Sequence, residues 1–446
     1  MFIALLGAAF LAGCGNGDTT SQTTFNNGTG NQSYKPTTHL SHRSLVTNYY
    51  AGKLQVMDAT ENRLTSYSFS TGTQPTYMQS SPDGTLTFVN NTGSNTISSF
   101  NNNLESVKAA IALGGTTQSF VTSQSNKIGY AAVPNYSNGS WRVAGAIVRF
   151  NPTDGSLATT QIAFPYVTNI AMDPEEKHLL AFTSNDNIAY WVDLTGTDPN
   201  TNVAPYFPLS LSDSSGNAVT LSRPVAAFYS SDGSTAYILS CGLECGGTDN
   251  PSVVAISTSN LPTDSTTTTG TVVSATVTNV WSSLSGARIG LIDTTAKKLY
   301  VAGSLSTSTS NDCPFTGSAP TCTTGTNSVQ DGFFTVIDLS AGTAESAIRI
   351  GNGVKHVIRN INGTFWIGSL NPGVQSGISM VTAAGAASVL ANANGDATGI
   401  SLQSNSGQVY TVEGGEFYMY TQQGVTVLSD YTTDVKGQAY DVLYID

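Results

Sequence analysis

Short runs of alternating apolar and polar residues follow one another along this chain, and turn-forming residues separate them. The clearest case is residues 80–91, where Pro82-Asp83-Gly84 stands between two apolar runs. Proline presets φ at the first turn position and glycine tolerates positive φ, so this pattern predicts a β-hairpin. A third strand is predicted at residues 96–101. One such unit predicts three neighbouring antiparallel strands.

The same unit recurs along the chain. Aligned on the large residue of the second strand, its copies fall at Leu45, Phe88, Tyr130, Leu180, Tyr237, Tyr300, Trp366 and Tyr410. The spacing between the first copies matches the roughly 40–45 residues of a four-stranded propeller blade. The first copy lacks an innermost strand, and residues 438–446 provide a spare one. We therefore predict an all-β fold, a β-propeller of eight four-stranded blades, with seven as the alternative count.

Closure of the ring follows from the spare strand. If the C-terminal strand joins the N-terminal blade, the ring has no open sheet edge, which all-β proteins otherwise have to protect. We therefore expect the first blade to contain strands from both termini.

The repeat resembles that of the YVTN-type (lactonase-like) β-propeller family, which reads S-P-D-G-x-x-L-Y-V-T-N and then T-V-x-V-I-D. Residues 81–91 with 96–101 carry it, as do 298–302 with 335–338, and residues 45–48 are in register with it. The literal string at residues 166–169 is out of register. The resemblance covers residues 41–446. It implies a propeller, usually of seven blades, and some relatives hydrolyse sugar lactones.

The N-terminus is typical of an exported lipoprotein. Residues 1–13 are apolar but too few to span a bilayer, which takes about 20 helical residues. Leu11-Ala12-Gly13-Cys14 resembles a bacterial lipobox with Cys14 as the lipidated residue, and an ordinary signal peptide with a chance cysteine is the alternative. We predict a signal peptide at 1–13, a flexible tether at 14–40 and the propeller at 41–446. Gly15, where aspartate would favour inner-membrane retention, predicts anchoring to the outer membrane, on its periplasmic or cell-surface face.

The remaining cysteines form two close pairs. Cys241 lies near Cys245 and Cys313 near Cys322, so an exported chain is expected to form two local disulfides. A zinc site built from both pairs is the alternative, although neither pair has the C-x-x-C spacing of such sites.

Four long insertions, at residues 134–145, 195–222, 240–251 and 303–332, mark the loops expected to carry function, because loops on a rigid scaffold commonly do so. The first contains Tyr136 and Trp141, and the second contains Tyr206 and Phe207. Trp141 is a candidate ligand-binding residue.

Four cations fall near the predicted channel mouth, where the innermost strands begin: Arg223, Arg288, Lys355 and His356. Arg288 and Lys355 align with Thr76 of the second repeat. Together the four could hold a carboxylate or phosphate. The alternative is that they pair with nearby acidic side chains or backbone carbonyls.

Composition and motifs narrow the function. The net charge of −12 argues against a nucleic-acid-binding surface, which needs clustered Lys and Arg. The chain contains no G-x-S-x-G elbow, H-E-x-x-H helix or P-loop. We expect a monomeric, non-catalytic module that binds an envelope protein, peptide or glycan through its looped face. No cofactor is predicted, although a channel Ca²⁺ would need only a few oxygen ligands. The alternative is a lactonase-like hydrolase acting at the channel mouth, with a divalent metal.

Overall fold

The computed structural model describes residue 38 and residues 40–445, with gaps. The gaps are 41, 118, 140, 307–310, 313–322, 325–329, 352, 360–362, 371–376, 383–384, 386, 390–394, 404–405, 424–425, 434 and 436. Within the described part the regular secondary structure is almost entirely β-strand, and the one helix is a single 3-10 turn, Gly242–Cys245. No helix among these residues is long and apolar enough to cross a membrane.

Five sheets have four strands each. The first comprises β1 (Arg43–Asn48), β2 (Lys53–Asp58), β3 (Arg63–Ser70) and β38 (Ala439–Ile445). The second comprises β4 (Pro75–Ser80), β5 (Leu86–Asn91), β6 (Thr96–Asn101) and β7 (Ser106–Ala112). The third comprises β8 (Ser119–Thr122), β9 (Gly129–Val133), β12 (Ala146–Phe150) and β13 (Ile162–Ala163).

The other two four-stranded sheets follow near the C-terminus. One comprises β30 (Val354–Arg359), β31 (Phe365–Ser369), β32 (Ile378–Val381) and β33 (Ala387–Val389). The other comprises β34 (Ala397–Leu402), β35 (Val409–Glu413), β36 (Glu416–Gln423) and β37 (Thr426–Thr433).

The middle of the chain forms larger sheets. A nine-stranded sheet comprises β14 (Val167–Met172), β15 (His178–Thr183), β16 (Ala189–Asp193), β17 (Tyr206–Ser212), β18 (Ala218–Val219), β19 (Pro224–Tyr229), β20 (Thr235–Ser240), β21 (Ser252–Ser257) and β22 (Val273–Trp281). A five-stranded sheet comprises β23 (Ile289–Asp293), β24 (Lys298–Ser306), β27 (Gln330–Asp338), β28 (Thr343–Ala344) and β29 (Ile348–Ile350). Two ribbons pair β10 (Tyr136–Asn138) with β11 (Trp141–Val143), and β25 (Asn311–Asp312) with β26 (Thr323–Thr324).

These sheets form a propeller-like ring, as the repeat predicts for the fold class. The expected eight separate blades are not seen as eight separate sheets, because β17 and β22 pair in parallel and join two antiparallel runs into one sheet. The ring closes as expected: β38 pairs antiparallel with β1, with Val442 opposite Val46. Both termini of the domain therefore share the first sheet.

The hairpin turns form for local reasons. In the turn between β4 and β5, the Ser81 hydroxyl donates to Asp83 at 2.6 Å and accepts the Leu86 N–H at 2.9 Å. Gly84 has φ +71°, a value that favours glycine. The Gly84 N–H also donates to the Ser81 carbonyl at 2.9 Å. Serine, aspartate and glycine at this spacing thus satisfy the backbone of the turn without tertiary help.

The core lies between neighbouring sheets. Phe88 of β5 and Phe120 of β8 belong to one buried cluster, and their ring centroids are 6.0 Å apart in an edge-to-face arrangement. Ile97 and Val148 of the same cluster are fully buried. Each sheet therefore buries a face against the next, as the alternating pattern requires.

The strands that begin several repeats share a β-bulge. Register shifts fall between Pro75 and Met78 in β4, and between Val167 and Asn169 in β14. Equivalent shifts occur in β19, β30 and β34, at residues 225, 355 and 398. These are the positions that sequence alignment places beside Thr76. Bulges are frequent next to functional sites, where they redirect a side chain.

Candidate functional site

A short disulfide-closed loop follows β20. The Sγ atoms of Cys241 and Cys245 are 2.03 Å apart, and the bond closes the 3-10 turn. This agrees with the local pairing expected for these two cysteines. The second expected pair, Cys313 and Cys322, and the lipidation site Cys14 lie outside the described residues.

Glu244 links this loop to the following sheet. Its carboxylate lies 3.0 Å from the Arg288 guanidinium and accepts the backbone N–H of Ser304 at 2.7 Å. The Glu244 side chain is 2% exposed and that of Arg288 is 20% exposed. A charged pair so far removed from water is strongly destabilised if one partner is lost. Arg288 is therefore held by the protein's own carboxylate.

Arg223 also has protein partners. Its guanidinium donates to the Ser184 carbonyl at 2.7 Å, and its backbone N–H donates to the Asn187 side chain at 3.0 Å. The four cations near the predicted channel mouth were expected either to hold an anionic ligand or to pair within the protein. Arg288 and Arg223 both have contacts within the protein, and their role as ligand-binding residues stays a prediction.

The remaining candidates are described only by their backbones. Lys355 and His356 lie in β30, with Lys355 at the bulge, and Trp141 lies in β11 opposite Asn138. Their side chains lie outside the described part of the chain. The disulfide loop contacts both arginines: the Cys241 N–H donates to the Arg223 carbonyl at 3.1 Å, and Glu244 pairs with Arg288.

A cavity, which we call the tyrosine groove, lies beside the ribbon β10–β11 and has a volume of about 300 Å³. Its lining comes from four separate segments of the chain: Tyr136, Asn138, Thr159, Thr160, Gln161, Ile162, Ala163, Thr201, Val203, Tyr206 and Thr269. Tyr136 and Tyr206 stand in two of the insertions that the sequence singled out. The segment 159–163 was missed, because its threonines carry no periodic or motif signal.

The groove is uncharged, and most of its surface is apolar, with several polar side chains at its edge. Apart from the two tyrosines, no described lining residue has an ionisable side chain. The side chains of Asn138, Thr159, Thr160, Thr201 and Tyr206 have no hydrogen-bond partner among the described residues. The groove thus presents several hydroxyl groups and one amide to any occupant.

Packing holds Tyr206 in place. Its ring centroid lies 4.4 Å from that of Phe164 and 6.1 Å from that of Tyr190. Burial, followed by the negative charge of Asp198, raises the pKa of Tyr206 above its usual value. The hydroxyl therefore stays protonated at neutral pH and can both donate and accept a hydrogen bond.

Comparison with known proteins supports the fold alone. No family model matches the chain, and no curated protein matches it. Among solved structures, dihydro-heme d1 dehydrogenase NirN in complex with DHE is 11% identical, with a TM-score of 0.56, over 92% of this chain and 77% of that one. A protein described as a 6-phosphogluconolactonase from Bacteroides fragilis is 14% identical, with a TM-score of 0.49, over 92% and 99%.

The periplasmic gluconolactonase of Pseudomonas aeruginosa is 12% identical, with a TM-score of 0.45, over 91% of this chain and 99% of that one. At these identities a likeness extends to architecture and not to activity. The comparison with NirN supports a β-propeller, and the two lactonase comparisons are too distant to bear on function. The chain is similar to NirN in its ring of sheets.

Proposed function

We propose that this protein is a non-catalytic binding module that takes up a neutral glycan in the tyrosine groove. The observation that carries the proposal is the set of hydroxyl and amide groups that have no hydrogen-bond partner among the described residues, around an uncharged cavity of about 300 Å³. Cavities of roughly 300–1,000 Å³ are typical of small-molecule sites, which favours a small ligand over a protein surface.

The lining matches the chemistry of a sugar. Sugar hydroxyls donate and accept hydrogen bonds, as do the hydroxyls of Thr159, Thr160 and Tyr206. The Tyr206 ring offers an apolar face for the C–H side of a sugar ring. A charged ligand would lose hydration without gaining a counter-charge, so an anion or cation is disfavoured here.

Neutral trisaccharides test the proposal. We expect maltotriose, cellotriose or chitotriose to bind the purified protein in calorimetry or ligand-observed NMR. Tyr206→Ala should weaken binding about tenfold, because one aromatic contact and one hydrogen bond are lost. Tyr206→Phe retains the ring and should lose only the part of the binding free energy that comes from the hydroxyl.

Tyr67→Ala is the matched control, since Tyr67 is a 40% exposed tyrosine on β3 in a different sheet. It should bind as the native protein does. Absence of binding by all three sugars, or equal weakening by the two alanine variants, would refute the glycan proposal. Turnover of a sugar lactone by the native protein would instead support the hydrolase alternative.

We further propose that the protein is exported, without a resident cofactor, and tethered by lipid on Cys14 to the outer membrane. The motif at residues 11–14 and the polar segment at 14–40 support this. Metabolic labelling with a fatty-acid analogue should mark the native protein and leave Cys14→Ala unlabelled. Label that persists in the variant would exclude this anchor.

We also infer eight blades. The nine-stranded sheet divides at its parallel β17–β22 junction into two antiparallel runs, β14–β17 and β19–β22. Counted separately, these two runs, the five four-stranded sheets and the five-stranded sheet make eight blades. An experimental density map viewed along the ring axis would contradict this inference if it showed seven wedges.

A further inference from the structure

Three exposed apolar side chains lie at the same end of the two antiparallel runs of the nine-stranded sheet. Tyr166 precedes β14, Ile188 ends the loop from β15 to β16, and Leu243 lies in the disulfide loop after β20. They are 47%, 37% and 38% exposed. Together with Arg223, which precedes β19, we call them the apolar patch. It shares no residue with the tyrosine groove.

Hydrogen bonds bring the first two of these segments to Arg223. Its guanidinium donates to the Ser184 carbonyl at 2.7 Å, and the Ser184 N–H donates to the Tyr166 carbonyl at 3.2 Å. The backbone N–H of Arg223 donates to the side chain of Asn187 at 3.0 Å, and Ile188 is the next residue. Tyr166 and Ile188 therefore flank Arg223 on one side.

The other side of Arg223 is bonded to the disulfide loop. The Cys241 N–H donates to the Arg223 carbonyl at 3.1 Å, and the Leu243 N–H donates to the Asp249 carbonyl at 3.1 Å, which holds the backbone that carries the Leu243 side chain. Three separate segments thus present apolar side chains around one arginine. Single exposed apolar residues are ordinary on a protein surface, whereas a group of them is typical of an interaction site.

Tyr166 and Arg223 both have a left-handed backbone, with φ +56° at each. Each immediately precedes the first strand of its run, and Gln74 before β4 and Gly353 before β30 hold the same position with φ +54° and +63°. Bulky residues rarely adopt this conformation, which glycine adopts freely. Strain of this kind is often retained at binding sites, where the side chain itself is needed.

The Arg223 guanidinium has N–H donors to spare. Its bond to the Ser184 carbonyl uses one of them, and it forms no ion pair with a carboxylate of the described chain. Asp186, in the adjacent loop, accepts the Ile188 N–H at 3.1 Å and the Tyr190 hydroxyl at 2.8 Å, so both of its oxygens are engaged. Arg223 therefore offers a positive charge and several donors in the middle of the apolar patch.

We propose that the apolar patch binds the C-terminus of a protein or peptide whose last residue is apolar. Such a residue carries a carboxylate and an apolar side chain on one Cα, so it meets the guanidinium and the surrounding apolar side chains together. Arginine binds a carboxylate through charge-assisted hydrogen bonds, which can be bidentate. Tyrosine and arginine are also the side chains on which binding to a protein partner most often depends.

Tetrapeptides that end in Leu, Phe or Ile are the probes, each made with a free C-terminal carboxylate and as the C-terminal amide. Fluorescence anisotropy of the peptide, labelled at its N-terminus, measures binding to the purified protein. We expect at least one acid to bind saturably and its amide to bind about tenfold more weakly, because the charge-assisted bond is lost. A peptide amide with glutamate as its last residue should bind no better than the other amides.

Variants of the patch separate its charge from its apolar surface. Arg223→Gln should abolish the preference for the acid over the amide, whereas Arg223→Lys keeps a positive charge and a donor and should retain it. Tyr166→Gly should weaken the acid and the amide alike, about tenfold, and leave their ratio unchanged. Glycine suits the left-handed backbone at residue 166, so this variant should fold.

Two matched controls lie in other sheets. Gln74→Gly changes a side chain at the same left-handed position before β4, and Arg63→Gln removes a 68% exposed arginine on β3. Both should bind the acid as the native protein does. Absence of saturable binding by all three acids, or equal binding of acid and amide, would overturn the proposal. So would an acid preference that survives Arg223→Gln, a glutamate amide that binds as tightly as the acids, or equal weakening by Gln74→Gly and Tyr166→Gly.

Discussion

At the residue scale, aspartates in the hairpin turns accept the same kind of hydrogen bond in different sheets. Ser230 donates to Asp232 at 2.6 Å, as Ser81 donates to Asp83 at 2.6 Å. The Ser234 N–H also donates to Asp232, at 3.1 Å. The bond from Ser230, followed by those from Ser234, lowers the pKa of Asp232 from 3.8 to about 2. The ionised carboxylate thus stabilises the turn that it belongs to.

This pKa predicts how the turn responds to acid. Because the pKa is lowered on folding, the stabilisation by Asp232 is complete well above pH 3.8 and is lost as the pH falls towards about 2. Asp232→Asn should therefore melt below the native protein at pH 6, and the difference should shrink progressively as the pH is lowered. A difference in melting temperature that stays constant down to about pH 2 would show that the carboxylate charge does not contribute.

At the element scale, the disulfide loop acts as a clamp between two parts of the ring. The loop leaves β20 in the nine-stranded sheet, and Glu244 binds Arg288 and Ser304 of the five-stranded sheet region. Gly303 packs so close that a Cβ there would lie 2.9 Å from the Glu244 carboxylate. The disulfide closes a loop of five residues, Cys241 to Cys245, and so holds Glu244 in the position that this contact requires.

Glu244→Gln tests the clamp. The substitution keeps the shape and removes the charge opposite Arg288, so the free energy of unfolding should fall by about 2 kcal/mol. Glu345→Gln is the control, since Glu345 is 57% exposed and 3.7 Å from Lys298. A surface pair of this kind contributes about 0–1 kcal/mol. Equal losses for the two variants in urea unfolding would contradict the clamp.

At the scale of the whole molecule, the ring is closed by its termini and joined by long-range polar contacts. Asp441 of β38 accepts the backbone N–H of Met78 in β4, the first strand of the next sheet. Arg43 of β1 pairs with Glu105, before β7, at 2.7 Å, and both side chains are at most 5% exposed. Strands from both ends of the chain are therefore attached to the second sheet as well as to each other.

The sequence by itself determined the strands, the turns and the closure of the ring. These depend on alternation with a period of two, on turn residues such as Pro82-Asp83-Gly84, and on one surplus strand, all of which are local or repeated signals. The pairing of Cys241 with Cys245 was equally local. The propeller fold followed because the unit at residues 80–101 recurs.

The tertiary structure alone decided which side chains meet. Glu244 lies 44 residues from Arg288, and Tyr136 lies 70 residues from Tyr206, so their meeting depends on how loops of different sheets pack. The parallel pairing of β17 with β22, and the placing of Asp232 beside His178, arise in the same way. No local pattern encodes such contacts, because loop conformations and side-chain pairings are set by the folded ring and not by strand periodicity.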